Sequence, residues 1–321
     1  IWPESTFNSN GHLVGNQVYQ SGLFNVALDN GSEWDTRKQS NIDKLTVNNR
    51  SQVNVESSGL LADSITLTNA STMNIGDSGD VATDSLYLDS ASRTTLTQET
   101  AALYANTITV DNHAELALGL GQVDTHKMVL TDGGVLNVAS RDYVFNSDLN
   151  NARYITNDIH QADYDYGVIA LNSDGHLAVN GEVSGNYKVR LDNATGAGSV
   201  ADYKNKEIIR VYDNNADTQA SFTAANKADL GAYTYQAQQQ GDTVVLRQER
   251  LTDYANMALS IPSANTNIWH LQQDALANRL TNSRHGLADN GGAWVNVFGG
   301  NFDGDNGTIH YDQDVSGIMV G

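Results

Sequence analysis

Ile65-Thr66-Leu67-Thr68-Asn69-Ala70-Ser71-Thr72-Met73-Asn74-Ile75 places two apolar doublets, Ile65/Leu67 and Met73/Ile75, on either side of a polar stretch. Counted from Ile65, the apolar residues fall at offsets 0, +2, +8 and +10. The same offsets recur at Leu45, Val47, Val53, Val55, and at Leu86, Leu88, Thr94, Leu96. They recur again at Ile108, Val110, Leu116, Leu118, and at Met128, Leu130, Leu136, Val138. A weaker copy precedes them at Val26, Leu28, Trp34, Thr36, and another follows at Ile169, Leu171, Leu177, Val179. Starts at 26, 45, 65, 86, 108 and 128 lie 19, 20, 21, 22 and 20 apart, and the step from 128 to 169 is 41, close to two periods. A fixed period of this size marks a solenoid.

Two residues apart in a strand is one face, so each doublet points both side chains the same way. Between doublets lie Asn48-Asn49-Arg50-Ser51, Thr68-Asn69-Ala70-Ser71, Asp89-Ser90-Ala91-Ser92, Asp111-Asn112-His113 and Thr131-Asp132-Gly133-Gly134. These residue types tolerate left-handed backbone and bond locally, so the chain turns a corner there. One repeat reads as strand, corner, strand, loop. No i, i+3, i+4, i+7 stripe appears, which argues against helix. A single such turn cannot offset its own ordering entropy and needs neighbours above and below. The reading is all-β: a right-handed parallel β-helix with turns of about twenty residues. An antiparallel sandwich with regular strand spacing is the alternative.

The chain has 321 residues, long enough for two or three domains. With 18 Lys+Arg against 38 Asp+Glu its net charge is −20, which argues against nucleic acid and against docking on anionic lipid. Cysteine is absent, so there is neither a disulfide framework nor a thiolate zinc site, and an exported chain stays threadable. Ile1-Trp2-Pro3-Glu4-Ser5 does not read as a signal peptide, and no run of apolar residues is long enough for a membrane-spanning helix. Both ends read as interior to a longer protein, so a fragment is expected.

Four zones follow. Residues 1–185 are the repeat zone, irregular from about 141 to 165. Residues 186–250 alternate over longer apolar strands, and would cap the open end of a solenoid. Residues 251–290 form a linker containing a helix at about 263–284, with Ser263 as N-cap after Pro262 and Gly286 as its stop. Such a helix is about 30 Å long, but Asn267, His270, Gln272, Gln273, Asp274, Asn278 and Arg279 make it too polar for lipid. It suits the wet lumen of a barrel, or the surface of a soluble domain through Trp269, Leu276 and Leu280. Residues 291–321 then read as two strands, Ala293-Trp294-Val295-Asn296-Val297-Phe298 and Ile309 onward, the start of an incomplete up-and-down barrel.

This order of zones resembles a monomeric autotransporter of the type V secretion pathway. The cap resembles the pertactin-like autochaperone region in Gly185-Asn186-Tyr187-Lys188-Val189-Arg190-Leu191-Asp192-Asn193 and in Leu230-Gly231-Ala232-Tyr233-Thr234-Tyr235, with Ala220-Ser221-Phe222-Thr223 between them. The turn Leu28-Asp29-Asn30-Gly31-Ser32-Glu33-Trp34 resembles those of self-associating passengers, and the strand from Trp294 resembles the first translocator strand. The resemblance implies a passenger displayed on the cell surface after transit through the periplasm, and an outer-membrane barrel plugged by the helix. It also implies an adhesin active in cell aggregation, biofilm formation or host contact. Its implied partners are passengers on neighbouring cells or a host surface or matrix, and the outer-membrane assembly machinery for the barrel. Some members cut themselves at an Asn pair in the pore helix. Here only Asn278-Arg279 and Asn282-Ser283 occur, which puts self-cleavage in doubt.

No catalytic constellation is visible: no Gly-x-Ser-x-Gly, no His-Glu-x-x-His, no Ser-x-x-Lys. The eight His residues are scattered, with His113 in a corner and His176 before a core Leu. No catalytic, cofactor or metal site is expected, and no enzyme within this segment. Asp303-Gly304-Asp305-Asn306-Gly307 faintly suggests a calcium loop, but a hairpin turn accounts for it. Asp163 and Asp165, interleaved with Tyr164 and Tyr166, read as a solvated loop, with an acidic binding patch as the alternative. Asp89, Asp111 and Asp132 fall at comparable corners without a second acid beside them, as sugar cleavage would require. Stacked Asn, Asp, Ser and Thr at the corners offer a ladder of donors and acceptors, through which two edges could zip together. A protease or esterase domain upstream of Ile1, with this segment as its stalk, is the competing expectation.

Overall fold

A computed structural model describes residues 4–9, 12–15, 23–151, 165–192, 195–196, 200–212, 219–284 and 293–321. Parallel pairing joins eighteen strands, and the pairing register is the repeat register. Leu45, Ile65, Leu86, Ile108, Met128 and Leu149 stack as one column. Val53, Met73, Thr94, Leu116, Leu136 and Ile169 form a second. Every member of both columns is at most 1% exposed. The chain is therefore a parallel β-solenoid with one long helix after it, and the sandwich alternative falls.

Each turn has a third wall that the sequence pattern hides. The stretch between Val55 and Ile65, read above as a loop, is largely strand: Gly59–Leu67 is continuous, as are Asp80–Leu88, Ala102–Val110 and Gln122–Leu130. Their first halves bury Leu60 and Ala62, Val81 and Thr83, and Leu103 and Ala105. Pairing then skips one residue per turn, at Asp43, Asp63, Asp84, Asn106 and His126. The strand bends there and the inward set changes parity, from Leu60/Ala62 to Ile65/Leu67. Small or hydroxylated inward residues at this wall (Ser40, Ala62, Thr83, Ala105, Thr125) dilute the apolar alternation that reveals the other two.

The seventh copy of the repeat is out of phase. Ile169 stacks on Leu136, a second-doublet residue, and not on the Met128 column. Leu177 and Val179 stack on Tyr143 and Phe145 in the third wall. The step of 41 is thus not two turns. One turn is lengthened, so that Asp142 pairs with His176, and the added length contains residues 152–164, which lie outside the described residues. The coincidental offsets arise because two neighbouring walls are also about eight residues apart.

Parallel stacking runs on through Val183–Leu191 to Gln219–Ala224. Antiparallel pairing enters with Glu207–Val211 against Thr243–Leu251, Tyr233–Gln240 against Thr243–Leu251, and Lys227–Leu230 against Tyr233–Gln240. Aromatic pairs fill the interior here, Tyr187 stacked on Phe222 at 5.4 Å and Tyr203 edge-on to Tyr235 at 5.9 Å. One buried cluster runs from Val26 to Leu246 without a break.

The helix is longer than its sequence signals suggest. It spans Asp253–Arg284, beginning ten residues before the expected start at 263. Thr252, not Ser263, is the cap: its Oγ1 accepts the Ala255 N–H at 3.2 Å, and Asp253 adds a favourable charge in the first turn. Pro262, taken for a start signal, sits inside. A proline there removes one backbone donor and crowds the carbonyl four residues earlier, at a cost of about 3 kcal/mol, yet the helix continues through it. The helix lies along a two-stranded antiparallel sheet, Val295–Asp305 paired with His310–Val320. Asn256 and His310 exchange two hydrogen bonds, 2.6 and 3.0 Å. Gln313 Nε2 donates to Ala264 O at 3.2 Å, and Asn296 Nδ2 to Ala275 O at 3.2 Å. The opposite sheet face leaves Val295, Val297, Ile318 and Val320 between 67% and 71% exposed.

Candidate functional site

The corner column is where the sequence places its ladder. Each corner carries two successive residues with positive φ: Asn49 and Arg50, Asn69 and Ala70, Ser90 and Ala91, Asn112 and His113, Asp132 and Gly133. Two left-handed residues in a row make a tight turn that swings the chain from one wall to the next, whose strands pair with neighbouring turns and not with each other. The turn closes when the fourth corner residue donates its N–H to the first residue's carbonyl, as Ser71 to Thr68 at 3.3 Å and Gly134 to Thr131 at 2.9 Å. That fourth residue must be small. At Gly134 a Cβ would lie 2.0 Å from Val110 O.

Corners are then tied to one another by main chain. Arg50 N–H donates to Asn69 O (3.0 Å), Ala70 to Ser90 (2.9 Å), Ala91 to Asn112 (3.1 Å) and His113 to Asp132 (3.2 Å). Side chains repeat the motif. Asn49 Nδ2 donates to Asp29 Oδ1 at 2.6 Å, Asn69 Nδ2 to Asn48 Oδ1 at 2.7 Å, and Asn112 Nδ2 to Ser90 Oγ at 3.3 Å. The structure does bring the corner amides into one column. It turns these donors along the stack, however, so part of the expected outward ladder is spent on the molecule's own cohesion. Arg50, Ala70, Ala91 and His113 project as the exposed second members.

Asp89 and Asp111 occupy the first corner position, whereas Asp132 is one residue further on, equivalent to Asn69. Asp111 Oδ2 accepts the Tyr87 hydroxyl at 3.0 Å. Asp165 also has structural work: its carboxylate accepts Thr131 Oγ1 and Asp132 N–H, both at 2.6 Å. Tyr166 beside it holds the Lys188 ammonium 3.6 Å from its ring centre. Asp163 and Tyr164 lie outside the described residues. Asp303 to Asp305 end the first hairpin strand and Asn306-Gly307 open its turn, where Asp305 Oδ1 accepts the Gly307 N–H at 2.7 Å. Asn278 is exposed on the helix, and the side chain of Asn282 is outside the described set.

His176 is less solitary than its sequence context suggests. Its Nδ1 lies 3.0 Å from Asp142 Oδ1 and its Nε2 3.4 Å from Glu207 Oε1, linking three successive turns. Arg210 grips Glu207 from the other side through two nitrogens. The Arg210 hydrogen bonds foremost, with His176 adding to them, hold the Glu207 carboxyl below the usual range. This is a charge ladder that staples strands, with no nucleophile in it. Among the described residues no group of three His, Asp or Glu could hold a metal ion. No described helix is long and apolar enough to cross a membrane.

A family model described as the autotransporter YaiT N-terminal passenger repeat matches residues 1–37. One described as pertactin matches residues 165–247. Two curated relatives are similar over the whole chain. A Salmonella typhimurium protein described as "Uncharacterized protein YaiT" is 57% identical, with 100% of this chain and 37% of the relative covered. An Escherichia coli protein described as "Putative uncharacterized protein YaiT" is 56% identical over the same shares, 100% and 37%. The chain therefore spans 37% of the length of the curated relatives it matches. No solved structure matches it.

Proposed function

From the premise that this chain is a type V autotransporter passenger region, we propose that it is an adhesive segment displayed outside the outer membrane. The observation that carries the proposal is the corner column, an exposed polar edge continuous over successive turns. Two such edges on neighbouring cells can meet through many weak hydrogen bonds, each worth about 1 kcal/mol net. With Asn49, Asn69 and Asn112 already donating within the stack, the contacts left to a partner are the remaining acceptors and the projecting Arg50 and His113. A host surface or matrix is the other partner class. Cell settling tests this: cells displaying a passenger with Arg50→Ala and His113→Ala, the residue already present at the equivalent Ala70 and Ala91, should settle more slowly than the parent. Equal rates would sink the ladder mechanism.

In this reading the rest of the chain serves export. Residues 186–250 cap the solenoid and fold early, the helix plugs the pore of a barrel, and the terminal hairpin begins that barrel for the outer-membrane assembly machinery to insert. Supporting this, each hairpin strand is 11 residues long, the length a tilted strand needs to cross a bilayer. One hairpin face packs on the helix while the other presents aliphatic side chains. Deleting 186–249 should leave the displayed passenger open to protease, and unchanged resistance would remove the capping role. A second reading follows from the relatives' length: a protease or esterase in the remaining part would make this segment its stalk. We assign no catalysis to the segment itself.

A further inference from the structure

The bend in the third wall forms a groove lined by Leu61, Asp63, Ala82, Asp84, Tyr104 and Asp124, among others, across four turns. Asn41, Leu61, Ala82, Tyr104 and Asp124 stack as an outward column on one side of the bend. An alternating strand should keep this column polar, yet Leu61 is 46% and Tyr104 50% exposed. The other side is the run of bend residues, Asp43, Asp63, Asp84, Asn106 and His126. Asp63 and Asp84 are successive members of this run, both left out of the pairing between Gly59–Leu67 and Asp80–Leu88. Asp84 Oδ1 takes the Asn106 amide at 2.8 Å. The carboxylates of Asp63 and Asp124 have no hydrogen-bond or ion-pair partner among the described residues, and neither Lys nor Arg lines the groove.

We infer that this groove docks an extended, arginine- or lysine-bearing polypeptide segment. Charge complementarity excludes an anionic polymer and favours a cation. The half-exposed Tyr104 ring offers a face to a guanidinium, and Leu61 with Ala82 gives aliphatic stems an apolar floor. Spacing agrees as well. Turns stack about 4.8 Å apart, so the three steps from the turn of Asp63 to that of Asp124 cover about 14 Å. A five-residue extended segment also covers about 14 Å, and its first, third and fifth side chains share a face. The inference deepens the adhesin reading by naming what one wall would hold. It uses purified chain, so its failure is separate from a failure of cells to aggregate.

The probe is the peptide Arg-Ala-Arg-Ala-Arg with blocked ends, titrated by fluorescence anisotropy near 0.15 M salt, where diffuse attraction is screened within about 8 Å. Its acidic counterpart, Glu-Ala-Glu-Ala-Glu, and a neutral glucose hexasaccharide are titrated beside it. The Asp63→Asn, Asp84→Asn, Asp124→Asn triple variant should weaken arginine-peptide binding about tenfold, the sum of three partly exposed pairs. Tyr104→Ala should weaken it by about threefold. A matched control, Glu56→Gln, Glu99→Gln, Glu182→Gln, removes the same charge elsewhere and should leave binding within about twofold. Equal loss in the control would reduce the effect to net charge and overturn the docking site. Tyr104-dependent binding of the hexasaccharide without the peptide would reassign the groove to sugar. No binding of any probe would also overturn it. Circular dichroism of each variant confirms that its fold is retained.

Discussion

Ile65 and Val297 are both aliphatic residues on alternating strands, and the molecule treats them oppositely. In the solenoid, Ile65 lies between Leu45 and Leu86 and is 0% exposed. In the terminal hairpin, Val297 faces away from the helix and is 71% exposed. Alternation specifies only that one face is apolar. Whether that face is buried depends on what closes over it. In the solenoid every turn supplies the wall for the next. In the hairpin the helix covers one face, through Asn256, Ala264 and Ala275, and among the described residues none covers the other.

The sharpest way to break this contrast is truncation. Ile65→Ala should cost about 2–5 kcal/mol, because a cavity opens inside a stack that cannot collapse around it. Val297→Ala should change stability by less than about 0.5 kcal/mol. Urea denaturation of the two variants measures the difference, and comparable losses would mean that the hairpin face is buried in solution. Next in size is Gly134→Ala. Its new Cβ would meet Val110 O, so the corner must shift, and a loss of about 1–3 kcal/mol is expected. Thr94→Val sharpens the comparison in the other direction. Thr94 sits in the second column with its Oγ1 buried and unpartnered, so a near-isosteric apolar replacement should add about 1 kcal/mol by removing an unpaired hydroxyl.

The smallest effect concerns the charge ladder. Glu207 has its pKa lowered in the folded state, chiefly by Arg210. Its contribution is therefore present above the unfolded carboxyl pKa and is lost as pH falls through the folded one. Because the pair is solvent-screened, the loss should not exceed about 0.5 kcal/mol. Melting temperature against pH should show a shallower acid limb in Glu207→Gln, and an unchanged limb would show the ladder to be energetically silent.

The two strong walls of each turn were legible because burial there demands large apolar side chains at fixed offsets. The corners were legible because left-handed backbone selects Asn, Asp, Ser and Gly. The third wall was not, since Ala62, Thr83, Ala105 and Thr125 serve a narrow interior without announcing it. The helix start was misplaced because Pro262 carries a signal that the helix runs through, while the true cap, Thr252, has no pattern to distinguish it from its neighbours. The candidate corner edge was located by its residues, but not the direction of its hydrogen bonds.

The sequence by itself determined the period, the identity of the stacked columns and the positions of the corners, because those follow from local backbone chemistry and spacing. Only the tertiary structure decided which amides bond along the stack, and which aspartates come to face one another across a bend. It also decided that the copy beginning at Ile169 belongs to a different wall. Such relations depend on the length of intervening chain and on the third neighbour in space, and residue spacing carries neither.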